Sequence, residues 1–588
     1  MCAIIGYKGL QNANEIVIEA LKKMQYRGYD SFGISAICNG KIKTHKQVGK
    51  VCDFFAQKLM FEQSGEAIGH TRWATHGAVS EKNAHPHLST DGRFALVHNG
   101  IVENYQELKN NLIEKKYFFK TQTDTEAIVY LIEEHLKKEE LRAAICAAFG
   151  QIEGRNAIVV LDLKTKQIIC AKQGSPLIVG LGANEIFVAS DPTAFIDKTR
   201  SAIFLEDNEC AIINEGLEIL DIKFGKIKPQ KIEHIDWTPE QAKKSSYSHF
   251  MLKEILEQKF TIKQAIIQNE DKIKEIAQEI NNAFGTYAVG CGTAGKVCLA
   301  GTYFFSEIAN KHINFAFGSE FSNYRHFLKD KSLLIVVSQS GETADTIKAV
   351  QTMKQKSGKV ISIINSVGST IARMSDKSLL VNCGPEIAVC STKATTGQLA
   401  IMLLLAYSCA GKYAEGKEIL NKTANLITQM INDEFDLKII NLAKQIKQWE
   451  SIYVIARGVN YPIALESAIK IQEVSYLHAE GFAGGELKHG PIALISKGTP
   501  CIVFAANDSV KKEILSNAME VKSRGGFIIG VAPQNNEIFD VHISVPDVGI
   551  ASPIVNIIPM QLLAYYLAIE KGYDPDKPRN LAKSVTVC

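Results

Sequence analysis

The first half of the chain alternates short apolar runs with polar segments, which predicts strands interleaved with a few helices. The opening run CAIIGY predicts a buried strand, and apolar positions three or four apart predict an amphipathic helix over Glu15–Tyr26. A second helix is predicted near Asp53–Phe61, and a third begins after Thr121. Four later apolar runs predict strands at Asn156–Leu161, Gln167–Lys172, Leu177–Gly180 and Ile186–Ser190.

The second half has a different pattern and repeats itself. From Thr286 onward, apolar strands end in Gly or Ser and are each followed by helical periodicity. TYAVGCGTAGKVCLAG parallels SIYVIARGVNYPIALESA, and Gly290 lies 168 positions before Gly458. This spacing is too long for a solenoid repeat, so it predicts two similar α/β domains with mainly parallel sheets.

A basic, Pro-containing stretch, KFGKIKPQK, separates the two halves and is typical of a linker. The expected division is a first domain over 2–235, a linker over 236–250, two repeated domains over 251–430 and 431–575, and a tail over 576–588.

Length and composition fit this division. The 588 residues are too many for one core.

A net charge of +3 gives no general reason to expect nucleic acid or a membrane surface as a binding partner. The apolar stretch around Leu399–Ala410 is too short for a membrane span, and no signal peptide is expected. Thirteen cysteines without a CxxC pair argue against a disulfide framework and a cysteine zinc site. We expect a soluble cytoplasmic protein.

Cys2 is the first candidate for chemistry. If Met1 is removed, Cys2 carries a thiol and a free α-amine on one carbon. The amine titrates near neutral pH and can hold the proton of the thiol, so nucleophile and base share one residue. The alternative is a small buried side chain at the start of a strand.

The segment GHTRWATHGAVSEKNAHPH (69–87) is rich in histidine, but its spacings fit no metal motif, and a metal site is not favoured. Arg72 within it is a candidate for binding a carboxylate bidentately, with a surface ion pair as the alternative. Asn99 and Gly100 follow an apolar strand and are candidate oxyanion donors, although Asn-Gly alone favours a hairpin turn. Asp124 is either a helix cap or a partner for the ammonium group of a ligand.

The repeated domains differ in their candidate chemistry. SQSGETADT places hydroxyl groups between a strand and a helix of the first repeat, which suggests a phosphate cradle rather than a nucleotide site, because no P-loop Lys is present. A second hydroxyl cluster, STK, begins at Ser391, and the second repeat lacks the cradle. One sugar-phosphate site per chain is therefore expected.

The segment ALESAIKIQEVSYLHAEGFAGGELKHGP contributes the remaining candidates. Glu466, Lys470 and Glu473 share one helix face, which is either an exposed ladder or a catalytic cluster. His489 lies in a Gly/Pro-bounded loop and can titrate near neutral pH. Lys583, in the tail PRNLAKSVTV, is a candidate amine nucleophile, and the alternative is a solvated lysine in a disordered tail.

The motifs MCAIIGY, YRGYDSFG, GHTRWATHG, NAHPH, VHNGIVEN and TDTE resemble, in this order, class II glutamine amidotransferases of the N-terminal-nucleophile type. The resemblance implies an α+β domain with stacked β-sheets between helices. It implies that Cys2 attacks the amide carbon of glutamine and that Asn99 and Gly100 form the oxyanion hole. It further implies that Arg72, Thr75 and His76 hold the glutamine carboxylate side, that Asp124 holds its ammonium group, and that Trp73 gates the exit of ammonia.

The motifs SQSGETADT, STKA, ALESAIK, ELKHGP and PRNLAKSVTV resemble the sugar isomerase (SIS) domains of the glucosamine-6-phosphate synthase family, so the resemblance covers essentially the whole chain. It implies conversion of fructose 6-phosphate and glutamine to glucosamine 6-phosphate without a cofactor, in a homodimer. Lys583 would form a Schiff base, Glu473 with Lys470 would move the proton between C1 and C2, and His489 of a partner subunit would open the ring. The sugar phosphate would contact Thr293, Ser338, Gln339, Ser340, Thr343, Val389, Ser391 and Ala582.

Three positions depart from the pattern of that family. Ala294 replaces a common Ser and removes one hydrogen bond, worth about 1 kcal/mol. Thr395 replaces an aromatic residue, which we expect to affect packing only. Cys588 replaces an acidic residue at the end of the chain.

Other functions are disfavoured or left open. The SGG loop of asparagine synthetases and the acidic pyrophosphate motif of phosphoribosyl amidotransferases are both missing from the sequence. A catalytically idle regulator that senses a sugar phosphate stays open as the alternative to an enzyme with internal ammonia transfer.

Overall fold

The structure, a computed structural model, describes residues 2–55, 59, 61–235 and 238–586. The chain divides into two compact units. The first unit comprises Met1–Ala242, Gly368–Thr370 and Ala582–Cys588. The second unit comprises Lys243–Val367 and Ile371–Leu581.

The first unit contains two antiparallel sheets and four helices in its described part. The strands are β1 (Ala3–Gly9), β2 (Ser31–Cys38), β3 (Lys41–Val48), β4 (Glu66–Arg72), β5 (His87–Leu88), β6 (Phe94–Gly100), β7 (Asn156–Asp162), β8 (Ile168–Gln173), β9 (Ile178–Gly182), β10 (Glu185–Ala189), β11 (Ser201–Phe204), β12 (Glu209–Ile213), β13 (Leu217–Asp221) and β14 (Glu233–His234). The helices are α1 (Ala13–Lys23), α2 (Tyr105–Glu114), α3 (Thr125–Leu136) and α4 (Leu141–Phe149).

The two sheets of the first unit stack face to face. One has the strand order β14-β11-β9-β10-β1-β4-β2-β3, and the other has the order β13-β12-β8-β7-β6-β5. A shared core between them contains Ile4 and Ile68 from the first sheet and Val97 and Val159 from the second. The outer face of one sheet is covered by α1, and that of the other by α2–α4. Because successive side chains of a strand point to opposite faces of its sheet, each strand contributes both to the shared core and to the helix-covered face.

The second unit contains two five-stranded parallel sheets. Its strands are β15 (Gly285–Gly290), β16 (Asn314–Phe317), β17 (Ser332–Ser338), β18 (Lys359–Ile364), β19 (Lys377–Leu380), β20 (Ser451–Ala456), β21 (His478–Ala483), β22 (Pro500–Phe504), β23 (Phe527–Ala532) and β24 (Val541–Ser544). Its helices are α5 (Phe250–Ala265), α6 (Glu270–Asn282), α7 (Gly292–Ala309), α8 (Gly318–Phe321), α9 (Ala344–Gln355), α10 (Thr370–Met374), α11 (Lys393–Cys409), α12 (Tyr413–Met430), α13 (Asp433–Ile446), α14 (Tyr461–Ser475), α15 (Lys511–Lys522) and α16 (Ser552–Glu570).

The sheet order confirms the repeat. The first sheet runs β16-β15-β17-β18-β19 and the second runs β21-β20-β22-β23-β24, so corresponding strands take the same places. All these pairs are parallel, and the central strands are mainly apolar because helices cover both faces of such sheets. The predicted fold class, an amidotransferase-type α+β domain followed by two SIS-type α/β domains, is confirmed.

Two details differ from the sequence expectations. The predicted helix at Asp53–Phe61 is wrong where the structure describes it, since Val51–Asp53 forms only a 3-10 turn; residues 56–58 and 60 lie outside the described residues. In addition, one helical stretch, Gly549–Glu570, is long and apolar enough to span a membrane. Its apolar window is 89% buried inside the protein, so it is a core helix.

Candidate active sites

Cys2 lies at the entrance to β1, next to the end of β4. Its Sγ accepts a hydrogen bond from the Trp73 N–H at 3.2 Å and lies 3.4 Å from the Trp73 carbonyl. Desolvation raises the pKa of the Cys2 thiol, and the charges of Arg72 and Arg27 oppose this shift only in part. The thiol therefore needs a neighbouring base before it can act as a nucleophile at neutral pH.

Asn99 presents its amide group to Cys2. Its Nδ2 donates to the Cys2 carbonyl at 3.2 Å and to Ser190 Oγ at 2.9 Å. His70 Nε2 lies 3.0 Å from Asn99 Oδ1, and because an amide oxygen only accepts, Nε2 carries the proton. Burial lowers the pKa of His70 to about 3, so the ring is neutral and fixes the Asn99 amide with its donors toward Cys2.

Asn99 and Gly100 are not a hairpin turn, so the turn favoured by the local sequence is wrong. Both residues lie inside β6, where Asn99 pairs with Ala157 and Gly100 pairs with Asn156 of β7. Gly100 has a φ of +134°, and a Cβ there would lie 2.1 Å from the Arg155 carbonyl oxygen. The glycine is required by this close approach of two strands.

A pocket opens beside Cys2. It is lined by Cys2, Arg72, Trp73, Thr75, His76, His85, His98, Gly100, Thr123, Asp124 and Thr125. The structure thus brings together six of the predicted glutaminase residues around Cys2, with Asn99 directly behind it. Trp73 is half-buried and meets Tyr29 edge-on, with ring centroids 5.4 Å apart.

The two charged residues of the pocket are buried and engaged with backbone groups. Arg72 donates to the carbonyls of His76 at 2.5 Å, Gly77 at 3.0 Å and Ala78 at 3.2 Å, which orders the loop on one side of the pocket. Asp124 Oδ2 accepts from the Val102 N–H at 2.8 Å. Asp124 occupies the N-cap position of α3 but makes no side-chain cap bond, so the cap interpretation of its carboxylate is wrong.

Three buried histidines of the 69–87 segment and His98 form a group of neutral rings beside Cys2, and two of them, His85 and His98, line the pocket. His70 and His85 stack with ring centroids 4.2 Å apart, and His98 lies 2.9 Å from both Thr125 Oγ1 and Asn156 Oδ1. Desolvation lowers the pKa values of His85, His87 and His98. Within the described residues, no group of three or more side chains is arranged to hold a metal ion.

In the second unit, one face of α14 carries a buried charge cluster. Lys470 Nζ lies 3.2 Å from Glu466 Oε1 and 2.7 Å from Glu473 Oε2, and it donates to Thr293 Oγ1 at 3.0 Å. Lys470 is 0% and Glu466 1% exposed, so the interpretation as an exposed ladder is wrong. Thr293, at the start of α7, also donates to Glu466 Oε1 at 2.9 Å and links the two repeats.

Burial and charge act against each other in this cluster. Desolvation raises the pKa of Glu466, and the neighbouring Glu473 adds to this effect against the attraction of Lys470. Burial alone would lower the pKa of Lys470, but the two carboxylates hold it well above its usual value. Lys470 is therefore a permanent cation between two acids.

Cys390 is a contact of Glu473 that sequence reasoning missed. Its thiol lies 3.0 Å from Glu473 Oε2 and donates to it, since desolvation by burial and the Glu473 charge raise the pKa of the thiol well above its usual value. The sequence signal was its place directly before Ser391 in the STK cluster.

The hydroxyl cluster at Ser391 is also ordered by its neighbours. Ser391 Oγ donates to Glu386 Oε2 at 3.0 Å and receives a bond from Thr395 Oγ1 at 3.3 Å. Thr395 thus makes a polar contact in addition to packing, which corrects the expectation for this position. The Val389 N–H donates to the Asp576 carbonyl at 3.1 Å.

The loop between β17 and α9 carries the residues predicted to bind phosphate. Ser338 Oγ accepts from the Gly341 N–H at 3.0 Å, and Ser340 Oγ accepts from the Glu342 N–H at 3.2 Å. Gln339 lies between the two serines. Thr343 is the N-cap residue of α9 but makes no side-chain cap bond. Its hydroxyl therefore does not occupy the backbone N–H groups at the start of α9, where an anion could bind.

His489, Ala582 and Lys583 have different surroundings. His489 is exposed at the end of a 3-10 turn, Glu486–His489. Ala582 and Lys583 are half-buried and belong to the first unit, whereas the loop between β17 and α9 and helix α14 belong to the second. Cys588 lies outside the described residues.

The fold and the pocket around Cys2 define the class: an amidotransferase domain joined to two sugar-isomerase domains. Residues 70–197 match the glutamine amidotransferase domain family, and residues 279–408 and 445–571 match the SIS domain family.

Full-length relatives narrow the class. The chain is 42% identical to the glutamine–fructose-6-phosphate aminotransferase [isomerizing] of Pyrococcus horikoshii and 40% identical to that of Thermococcus kodakarensis, with all of both chains covered in each comparison. It also resembles the solved C-terminal domain of the Francisella tularensis glucosamine-fructose-6-phosphate aminotransferase, at 33% identity and a TM-score of 0.53 over 57% of this chain and 99% of that one. The chain belongs to the glutamine–fructose-6-phosphate aminotransferase (isomerizing) family.

Proposed function

We propose that the chain converts L-glutamine and D-fructose 6-phosphate to L-glutamate and D-glucosamine 6-phosphate, the entry step of amino-sugar synthesis. The observation that carries this proposal is the pocket beside Cys2, lined by Arg72 and Asp124, in a chain that also holds the buried Glu466–Lys470–Glu473 cluster. We retain the division into an amidotransferase domain (2–235), linker (236–250), two SIS domains (251–430 and 431–575) and active-site tail (576–588).

The glutaminase half-reaction starts at Cys2 after removal of Met1. The free α-amine takes the thiol proton, and Sγ attacks the amide carbon of glutamine. Asn99 Nδ2 and the Gly100 N–H stabilise the oxyanion, and each such donor is worth about 10²–10³ in rate. Ammonia leaves, and water then hydrolyses the thioester to release glutamate.

The pocket holds the other end of glutamine. Arg72, with Thr75 and His76, binds the α-carboxylate, because a buried guanidinium can extend its hydrogen bonding to an anion at little cost in desolvation. Asp124 binds the α-ammonium group, since its carboxylate is already buried and lines the pocket. Trp73, which contacts Cys2 through its backbone, gates the departure of ammonia.

The isomerase half-reaction uses the second unit and the tail. Ser338, Gln339, Ser340 and Thr343 bind the phosphate, while Thr293, Val389, Ser391 and Ala582 contact the sugar. His489 assists opening of the ring. The Lys583 amine adds to the C2 carbonyl with loss of water, and ammonia then displaces Lys583 and leaves an imine at C2. Glu473 moves a proton from C1 to C2, which gives the C1 aldehyde and the C2 amine of the product. Lys470 stabilises the charge on Glu473 during this transfer.

Containment of ammonia explains why one chain carries both activities. In neutral water ammonia is mostly protonated and does not attack a carbonyl carbon. A passage that excludes water keeps it reactive. We therefore propose that ammonia passes internally from Cys2 to the sugar.

A product assay tests the proposal. Protein, glutamine and fructose 6-phosphate are mixed, and glucosamine 6-phosphate and glutamate are measured. We expect both products in equal amounts. Binding of both ligands without product would instead support an idle sugar-phosphate sensor. Cys2→Ala should abolish glutamine use and retain sugar isomerisation, and intact mass should show that Met1 is removed.

We further propose a cytoplasmic homodimer in which His489 completes the site of its partner. The exposure of His489 supports the dimer, and the described cysteines, none of which forms a disulfide, support a reducing compartment. Mixing inactive His489→Ala and Lys583→Ala chains tests the dimer, because each mixed dimer regains one complete site. Recovery of about a quarter of the wild-type rate is expected by this counting, and no recovery contradicts the shared site.

A further inference from the structure

Arg155 joins the carboxyl-terminal segment to the amidotransferase sheets of the first unit. It stands directly before β7, and its Nε donates to the Thr586 carbonyl at 3.1 Å. Its Nη2 donates to the Gly174 carbonyl at 2.5 Å. Thr586 follows Lys583 by three positions, and this segment belongs to the first unit. One guanidinium therefore clamps the segment that carries Lys583 to the turn after β8.

The backbone of the same residue contacts the proposed oxyanion hole. The Arg155 carbonyl oxygen approaches Gly100 so closely that a Cβ there would lie 2.1 Å away, and it accepts from Ser175 Oγ at 3.0 Å. The next residue, Asn156, pairs with Gly100 across β6 and β7. Arg155 thus touches the glutamine pocket with its main chain and the tail with its side chain.

The charge of Arg155 is balanced locally. Burial alone would raise the pKa of Asp207, but Lys172, the Gly174 N–H and Arg155 hold it below its usual range. Asp207 also accepts from the Gly174 N–H at 2.7 Å, which fixes the carbonyl side of this turn for Arg155. The guanidinium is therefore oriented by fixed partners, and its bond to Thr586 needs little further ordering.

We propose that Arg155 is a positioning residue that holds the Lys583 segment against the amidotransferase unit and so couples glutamine hydrolysis to sugar amination. This inference rests on the proposed function. Glutamine and water give glutamate and ammonia at Cys2, and ammonia with fructose 6-phosphate gives glucosamine 6-phosphate and water. When the segment is released, the first reaction continues, and its ammonia escapes to solvent before it reaches the sugar.

The expected size of the effect of Arg155→Met follows from the hydrogen bond to Thr586 that it removes. A hydrogen bond from a charged donor changes the ratio of docked to released segment by about 10- to 100-fold. Arg155→Met removes the donors and keeps the apolar stem. Arg155→Lys keeps the charge but has no fork to span both carbonyls, so it should rescue the docked state only partly. Arg142→Met is the matched control, because Arg142 forms an exposed ion pair with Glu218 on the same unit.

Two measurements on the full-length chain test whether Arg155 positions the Lys583 segment. The first is the molar ratio of glucosamine 6-phosphate to glutamate, and the second is hydrogen exchange of the backbone amides in 582–586. For Arg155→Met we expect the ratio to fall at least threefold with glutamine hydrolysis retained, and exchange of the segment to rise about 10-fold or more. Arg155→Lys should lie between Arg155→Met and wild type, and Arg142→Met should match wild type in both readouts.

An unchanged ratio in Arg155→Met overturns the inference, and so does a lowered ratio without faster exchange of the segment. An equal loss in Arg142→Met also overturns it, since the effect would then be one of general destabilisation. If the wild-type protein forms no glucosamine 6-phosphate, the proposed function fails instead, and the exchange data still decide whether Arg155 holds the segment.

Discussion

Replacement of Lys470 by Met gives a quantitative test of the buried charge cluster on α14. Lys470 is the cation between Glu466 and Glu473, and both it and Glu466 are essentially inaccessible to water. Removing one partner of a buried ion pair costs about 3–5 kcal/mol, because the other charge stays buried and unpaired. At about 2 °C per kcal/mol for a unit of this size, the melting temperature should fall by about 6–10 °C.

The chain provides a matched control for this substitution. Lys274 and Glu270 form the same i,i+4 pair on a helix, but they are 53% and 51% exposed. Water screens exposed pairs of this kind and they add little to stability, so Lys274→Met should leave the melting temperature within about 1 °C of wild type. Both substitutions remove one positive charge, so the difference between their melting-temperature shifts measures the effect of burial.

The effect of Lys470→Met should depend on pH. Burial already raises the pKa of Glu466, and loss of the cation raises it further. When the pKa of a carboxyl group is higher in the folded than in the unfolded protein, the free energy of unfolding decreases as pH rises from the unfolded pKa through the folded one. The deficit should therefore be larger at pH 8 than at pH 5.5, and Glu466→Gln in the same chain should restore most of the stability.

Differential scanning calorimetry of the variants at both pH values measures these shifts. Equal shifts for Lys470→Met and Lys274→Met would refute the claim that burial makes the cluster costly to break. A deficit that grows toward low pH would refute the assignment of Glu466 as the unpaired acid.

Three further substitutions test the sites. Gly100→Ala should lower glutamine hydrolysis by at least about 100-fold, because its Cβ would collide with the facing strand, whereas Gly92→Ala, also at positive φ but with nothing within 4 Å, should stay near wild type in a glutamate-release assay. Asp124→Asn should lower kcat/KM for glutamine by about 10- to 100-fold, with sugar isomerisation unchanged, since the ammonium group loses its charged partner. Thr395→Val should raise KM for fructose 6-phosphate about fivefold by removing the bond to Ser391, and equal loss of glutamine hydrolysis would contradict this.

The sequence predicted most of the fold because its patterns are local. The predicted strands over 156–190 match β7–β10 within about two residues, and the 168-residue spacing becomes two sheets of identical order. The helix after β3 could not be predicted reliably, since Val51–Asp53 forms only one short turn there. The sequence prediction considered the apolar stretch around Leu399–Ala410, whereas the helix that is long and apolar enough to span a membrane is Gly549–Glu570.

The site was harder to predict because its chemistry depends on contacts far apart in sequence. Asn-Gly favours a turn locally, but pairing with β7 places Gly100 in a strand whose partner leaves no room for a side chain. Helical spacing puts Glu466 and Lys470 on one face, yet only packing against α7 determines that the face is buried. The hydroxyl of Thr395 and the thiol of Cys390 acquire polar partners that no local pattern indicates.

Transfer of nitrogen within the protein is the central claim, and isotope labelling tests it most directly. The protein is supplied with fructose 6-phosphate and amide-¹⁵N glutamine in the presence of excess unlabelled ammonium, and the glucosamine 6-phosphate is analysed by mass spectrometry. Internal transfer predicts that essentially all product molecules carry ¹⁵N. Product whose label is diluted to the level of the bulk ammonium would contradict the account.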